Sequence, residues 1–222
     1  MQSSFNEMYH HIEAPTISKH LGIRKRELYI PTHQDNKIEY YSKPLFWYLS
    51  TLQWQYKRKL NGENLRVKWD GNRVVWNGKT NAYQASKKLT NYMKETFVEE
   101  IFEERFGRDK TVLLFGEHMG EKVQGNELGL EKPEFVLFDV KIGEFWLEPE
   151  DVEEVAKYFW LRTYKDFGDT GQDTLINLIS RTAIGDFKEW ERIVATPKIR
   201  CLQPNGERVI CKIKNKDYAI HG

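Results

Sequence analysis

Cysteine is scarce: Cys201 and Cys211 are the only two in 222 residues. They flank a Pro204-Asn205-Gly206 turn, and without a secretion signal such a pair is expected to stay reduced. No signal is evident, because the opening stretch from Met1 to Ala14 lacks both a basic start and an apolar run. Nowhere does the chain approach the roughly 20 consecutive apolar residues of a membrane span, so an intracellular, cytoplasmic setting is expected. Neither sign of charge dominates: 34 Lys and Arg against 33 Asp and Glu leave a formal net charge of +1. The global basic excess common among nucleic-acid-binding proteins is therefore absent. No Gly-x-x-x-x-Gly-Lys-Ser/Thr loop occurs, which argues against a P-loop kinase or NTPase. Repeats, low-complexity tracts and Pro/Ser-rich linkers are also missing. The expectation is one domain over 1–222, with an irregular segment at 1–50 packed on it.

What is present is ordinary for a globular protein of this length, 40% hydrophobic, 14% aromatic and 30% charged, and long enough to bury a sizeable core. Basic residues cluster locally at Arg24-Lys25-Arg26, at Lys57-Arg58-Lys59, and around Lys212, Lys214 and Lys216. Such runs are often solvated faces. The stretch Leu45 to Leu49 reads as a helical turn. Trp54 and Tyr56, then Leu65, Val67 and Trp69, alternate as strands do, and Asp70-Gly71-Asn72 before Val74-Val75-Trp76 signals a hairpin. A single helix is expected from a cap at Thr80 or Asn81, through Leu89, Met93, Phe97 and Phe102, to an exit at Gly107. Thr111–Glu117 and Phe135–Val140 read as strands. Pro149 opens a helix to about Trp160, Asp173–Thr182 reads as another, and Arg192–Ala195 and Arg208–Ile213 as closing strands. Hairpins interspersed with helices make the fold α+β, with antiparallel sheets flanked by helices.

Five segments carry candidate chemistry. In Lys59-Leu60-Asn61-Gly62-Glu63-Asn64, the lysine amine can serve as a nucleophile once deprotonated, and the glycine allows close backbone approach. Lys68-Trp69-Asp70-Gly71 fits a shorter form of the same pattern, but it occupies a strand and its hairpin turn, so Lys59 is preferred. Alone, either lysine is an ordinary strand-end residue. Gly78-Lys79-Thr80 is a loop lysine beside a cap. Phe115-Gly116-Glu117-His118-Met119-Gly120 runs on to Lys122-Val123-Gln124-Gly125, ending a strand on a carboxylate. His118 has no His or Cys partner at metal-ligand spacing and reads as structural or substrate-side. Phe135 to Gly143 is an apolar strand containing Phe138 and Asp139. The last segment pairs Glu191-Arg192-Ile193-Val194-Ala195-Thr196-Pro197 with Cys211-Lys212-Ile213-Lys214. There, alternation aims two ammonium groups to one side.

In this order the segments resemble the motifs of the covalent nucleotidyltransferase superfamily. They look most like the ATP-dependent RNA ligases, in the Rnl2-like branch of phage and kinetoplastid enzymes, over nearly the whole chain after Pro44. The resemblance implies a nucleotidyltransferase (ATP-grasp-like) domain without an OB or other C-terminal domain, using ATP and Mg2+ or Mn2+. It implies that Lys59 forms a lysyl-AMP intermediate, and that AMP passes to the 5′-phosphate of an RNA end before a 3′-hydroxyl seals the strand. It assigns Asn61, Asn64, Lys79 and Glu117 to the nucleotide, with Glu117 on the ribose and Phe138 on the adenine. Glu191 would serve the metal, and Lys212 and Lys214 the phosphates and the catalysis. Two departures stand out: Arg58 precedes the lysine where the family usually has Glu, and Arg192 replaces a glycine. The chain also ends soon after Lys214. It is expected to work as a minimal module, to recruit a partner protein in place of the C-terminal domain, or to be a shortened piece. A relative that binds nucleotide or nucleic acid without catalysis, a DNA ligase and a capping-type enzyme are the alternatives.

Overall fold

A computed structural model describes residues 12–13, 48–49, 51–78, 83–120, 123, 126, 128–168, 170–190, 192–202 and 208–214. In chain order its strands are β1 (Ile12–Glu13), β2 (Gln53–Arg58), β3 (Glu63–Trp69), β4 (Val74–Gly78), β5 (Val112–Met119), β6 (Glu134–Ile142), β7 (Phe145–Trp146), β8 (Thr170–Thr174), β9 (Arg192–Pro197) and β10 (Cys211–Lys214). Its helices are α1 (Lys87–Thr96), α2 (Glu99–Phe106), α3 (Pro149–Tyr158) and α4 (Leu175–Ala183), with a 3-10 turn at Tyr164–Phe167. The chain divides into two compact units, one built on Leu60–Gly168, the other drawing on residues up to Lys59 and from Asp169 onward.

In the unit containing Lys59, five strands lie in the order β1-β10-β9-β2-β8. All pairings are antiparallel except the two-residue β1 against β10. Strand alternation splits the sheet into two faces. One carries Trp54, Ile193, Ala195, Cys211 and Ile213, which pack with Leu49, Leu175, Leu178 and Phe187 into a core, Tyr56 lying partly buried against it. Arg181 of α4 lies on this side, bonding Asp186, Asp173 and the Tyr56 hydroxyl. The opposite face is polar.

In the other unit five antiparallel strands run β4-β3-β5-β6-β7. Leu65, Val67, Trp69, Val112, Leu114, Leu137 and Val140 form the inner face, covered by α1, α2 and α3 through Leu89, Met93, Phe102, Val152 and Val155. Burying each such large apolar side chain stabilises the fold by about 1.5–3 kcal/mol. A bulge between Phe115 and Gly116 interrupts the β5–β6 ladder, so that Phe115 pairs with Asp139 while Gly116 pairs with Leu137. Phe138 is the extra residue.

The strands from Trp54 to Trp76, the Asp70-Gly71 hairpin, β5, β6 and α3 lie where the sequence puts them. The expected single helix is instead two. Ser86 caps α1, accepting a bond from the Leu89 amide at 3.1 Å, whereas Thr80 and Asn81 lie outside the described residues. The helix breaks at Phe97 and Val98, whose ψ angles are 69° and 141°. The run Thr96-Phe97-Val98 is weakly helix-forming, and the break seats Phe97 against Phe102, Phe135 and Phe159. Gly107 ends α2 with φ of 73°, as its glycine allows. The expected helix at Asp173 starts later, because Thr170–Thr174 pairs with β2 as a strand and Thr174 caps α4. The expected strand from Arg208 starts at Cys211, and Arg208 forms an isolated bridge with Leu202. The expected turn at Leu45–Leu49 is described only at Tyr48 and Leu49, which are helical.

Candidate active site

Lys59 ends β2's run of pairing. Its amide donates to the Arg192 carbonyl at 2.8 Å, continuing the β2–β9 ladder one step beyond Arg58 and Ile193. The preceding ladder sets Lys57 opposite Val194, and Val194 opposite Lys212. Directly paired residues project to the same side of a sheet. Lys57 and Lys212 thus share one row of the polar face, and Lys59, Arg192 and the register position of Lys214 form the next. Successive same-side rows are about 7 Å apart. Glu13 sits at the register position beside Lys212 on the edge strand. Lys57, Lys59, Arg192 and Lys212 are half-buried. Arg58 points the other way, in the row of Ile193 and Ile213. Of the two family departures, only Arg192 therefore shares the lysine's face.

Past Lys59, Leu60 is fully buried with Met119, Val136 and Tyr164, and Phe138 packs against that cluster. Asn61 is half-buried. The Gly62 amide donates to Glu117 Oε1 at 3.1 Å, tying the motif to the end of β5. A side-chain carbon at Gly62 would collide with the His118 carbonyl oxygen and with the Glu117 side chain. The glycine is thus required by the protein's own strand β5, before any nucleotide is considered. Asn64 lies directly opposite Glu117, and Glu117 opposite Val136, so these project from the outer face of β3, β5 and β6. Phe138, placed by the bulge, lies half-buried on that side with its ring 6.3 Å from Tyr164, edge to face. Glu117, Arg66 and Asp139 are buried charged residues on the same face. Lys68 is there too, in mid-strand opposite Leu113, about 13 Å along β3 from Asn64.

A network absent from the sequence reading lies on the inner side of β3. Glu63 Oε2 accepts from the Tyr83 hydroxyl at 2.5 Å and pairs with His118 Nδ1 at 3.1 Å. Burial and the Glu63 carboxylate push the Tyr83 hydroxyl's pKa well up. His118 is therefore a structural partner of Glu63. Its only sequence signal is its position beside Glu117, and Tyr83 arrives from a loop that no motif marks. Lys79 and Glu191 lie outside the described residues. Among the described residues no three His, Cys, Asp or Glu side chains come together as a metal-binding group.

Two helix-flanked, largely antiparallel sheets match the nucleotidyltransferase fold of solved RNA ligases. A sequence model of the RNA ligase family matches residues 52–210, and the chain belongs to that family. Among solved structures, two variants of the Naegleria gruberi RNA ligase are similar in fold. One replaces a lysine with methionine and one a glutamate with alanine, both with AMP and Mn. Each is 16% identical with a TM-score of 0.57, covering 79% of this chain and 53% of that one. An apo aspartate-to-alanine variant of the same ligase matches at 16% identity and TM-score 0.56, over 78% and 52%. The chain thus spans about half the length of the solved ligases it matches. No curated protein sequence matches it.

Proposed function

We propose that this chain is an ATP-dependent RNA ligase of the phage-type, Rnl2-like branch, its two units together forming one adenylyltransferase domain. The observation that carries the reading is the ladder bond from the Lys59 amide to Arg192, which sets Lys59 in the row next to Lys57 and Lys212. In the first step the Lys59 amine, its proton lost to solvent, attacks the α-phosphorus of ATP. A phosphorus–nitrogen bond forms as the bond to pyrophosphate breaks. AMP then moves to the 5′-phosphate of an RNA end, and a 3′-hydroxyl displaces it to make the phosphodiester. The protein's contribution is mainly fixed positive charge beside the in-line phosphoryl transfer, from Lys212 and Lys214. Asn61, Asn64, Glu117 and Phe138 are assigned to the nucleoside and Lys79 to phosphate.

A Mg2+ or Mn2+ ion that accompanies ATP neutralises phosphate charge. The described residues offer no three-ligand carboxylate or imidazole group for it. Such an ion would be held largely by phosphate and water, with Glu191, outside the described residues, assigned to help. The cytoplasm, a phage host's included, is where ATP and broken RNA meet; no described helix is long and apolar enough to cross a membrane.

Incubation with labelled ATP and Mg2+ followed by denaturation tests the reading. A mass shift of one AMP on the Lys59 peptide is expected, absent in Lys59→Ala and largely kept in Lys68→Ala. Labelling by GTP alone would instead indicate capping chemistry, and no labelling a binding module. Lys212→Ala is expected to slow adenylylation at least about tenfold, roughly 1.4 kcal/mol of barrier.

A further inference from the structure

The polar face of the Lys59 sheet extends well beyond the row of Lys59 itself. Moving back along β2, the same side carries Lys57, Gln55 and Gln53, paired with Thr170, Gln172 and Thr174 of β8. The Lys198 amide bonds the Gln53 carbonyl at 2.8 Å, and its Nζ reaches over the face to Gln172 Oε1 at 3.3 Å. Thr170, Gln172, Gln53 and Lys198 are exposed. The charge is segregated across the sheet. Asp173 and Asp186 lie with Arg181 on the α4 side, whereas the described side chains of this face are Lys, Arg, Gln, Thr and Val. Among its described register positions the acidic one, Glu13, is at the far edge beyond Lys212.

From Lys59 to Gln53 is about 20 Å, longer than one triphosphate needs and enough for several nucleotides of a strand. We propose that this face is a track for the sugar–phosphate backbone of the RNA strand whose 5′-phosphate receives AMP, with Lys57 and Lys198 as its phosphate contacts. Gln55 and Gln172 are its hydrogen-bonding groups. The inference rests on the ligase reading for the identity of the strand. Trp54 and Tyr56 point to the opposite, core side, so no described aromatic side chain stands on the track to stack on bases. Contact is therefore with the backbone, and binding is independent of sequence.

The test is fluorescence anisotropy with a 5′-phosphorylated single-stranded RNA oligonucleotide on the full chain, read beside ATP labelling of Lys59. Lys57→Ala and Lys198→Ala are each expected to weaken RNA binding several-fold at low salt. Each should also flatten the slope of log affinity against log salt by about 0.7, the value for one lost phosphate contact on a single strand, for oligonucleotides of unrelated sequence alike. Unchanged melting curves would show that both variants fold. Unchanged RNA affinity in both, or loss confined to ATP labelling in Lys57→Ala, overturns the track; the second result would assign Lys57 to the triphosphate instead. A wild-type chain that takes no label from ATP yet loses RNA affinity in both variants would sink the ligase reading and leave the track standing.

Discussion

Gly62 is the residue on which the two halves of the lysine motif depend. Its amide holds Glu117, and its missing side chain makes room for the His118 carbonyl. Gly62→Ala forces β3 and β5 apart where Asn64 faces Glu117. Overpacking of this kind costs about 1–3 kcal/mol, so a lower urea midpoint is expected together with weaker ATP labelling. Normal stability with normal labelling would show that the strands yield freely. The two thiols make a second residue-scale prediction. Burial pushes the Cys211 thiol well up and that of the half-buried Cys201 up as well. A thiol whose pKa is raised by folding adds stability that is complete below the usual thiol value of about 8.5 and declines as pH rises past it. At mildly alkaline pH, iodoacetamide should label Cys201 in the native protein, and Cys211 only after unfolding, as peptide mass spectrometry would report. At this scale the sequence marked Gly62 but not the packing that demands a glycine there. The motif glycine was legible, but its demand comes from strand β5, 55 positions away at Glu117. The Glu63–Tyr83–His118 network was not legible, because a hydroxyl arriving from a distant loop leaves no periodic trace.

At the scale of elements, local chemistry decided most outcomes. Asp70 closes the β3–β4 hairpin, its Oδ1 accepting from the Asn72 and Arg73 amides at 3.1 Å each. Slight desolvation pulls its carboxyl upward, but these amides and the Arg73 guanidinium outweigh it and hold its pKa below the usual value. A depressed carboxylate adds stability present above the unfolded value of about 3.9 and lost as pH falls through the folded one. Asp70→Ala is therefore expected to cost about 1 kcal/mol at neutral pH, measured by urea denaturation, with the gap to wild type closing in acid. A gap that persists at low pH would mean that the turn's geometry, not the charge, is being measured. Ser86→Ala should likewise cost about 1 kcal/mol by uncapping α1. Strands with clear alternation and a turn signal were readable, as were the Pro149 start and the Gly107 stop. The split between α1 and α2 was not, because helical spacing continues through Phe97 while burial against Phe102, Phe135 and Phe159 fixes a non-helical backbone there. Strand β8 was missed because Thr-Gly-Gln-Asp-Thr has no apolar face. It is held by its backbone pairing to β2.

At the scale of the whole molecule, the chain passes from one compact unit to the other between Lys59 and Leu60, and back between Gly168 and Asp169. The first passage falls inside the lysine motif itself, where no Pro-, Gly- or Ser-rich linker announces a boundary. The nucleophile proposed at that passage gives a whole-molecule prediction. Ligand that binds only the folded state stabilises it by RT ln(1 + [L]/Kd), about 2.7 kcal/mol at a hundredfold excess over Kd. On the proposed reading both wild type and Lys59→Ala are expected to melt higher with ATP and Mg2+, since the substitution removes the attacking amine and leaves the other proposed nucleotide contacts in place. After exhaustive dialysis the two should diverge. With AMP covalently attached, as proposed, the wild type is expected to keep its shift and to lose it only when added pyrophosphate reverses the reaction. Lys59→Ala returns to its ligand-free melting temperature. A wild-type shift that also washes out, in protein that melts higher with ATP, would mean that the fold holds the nucleotide without forming the phosphorus–nitrogen bond.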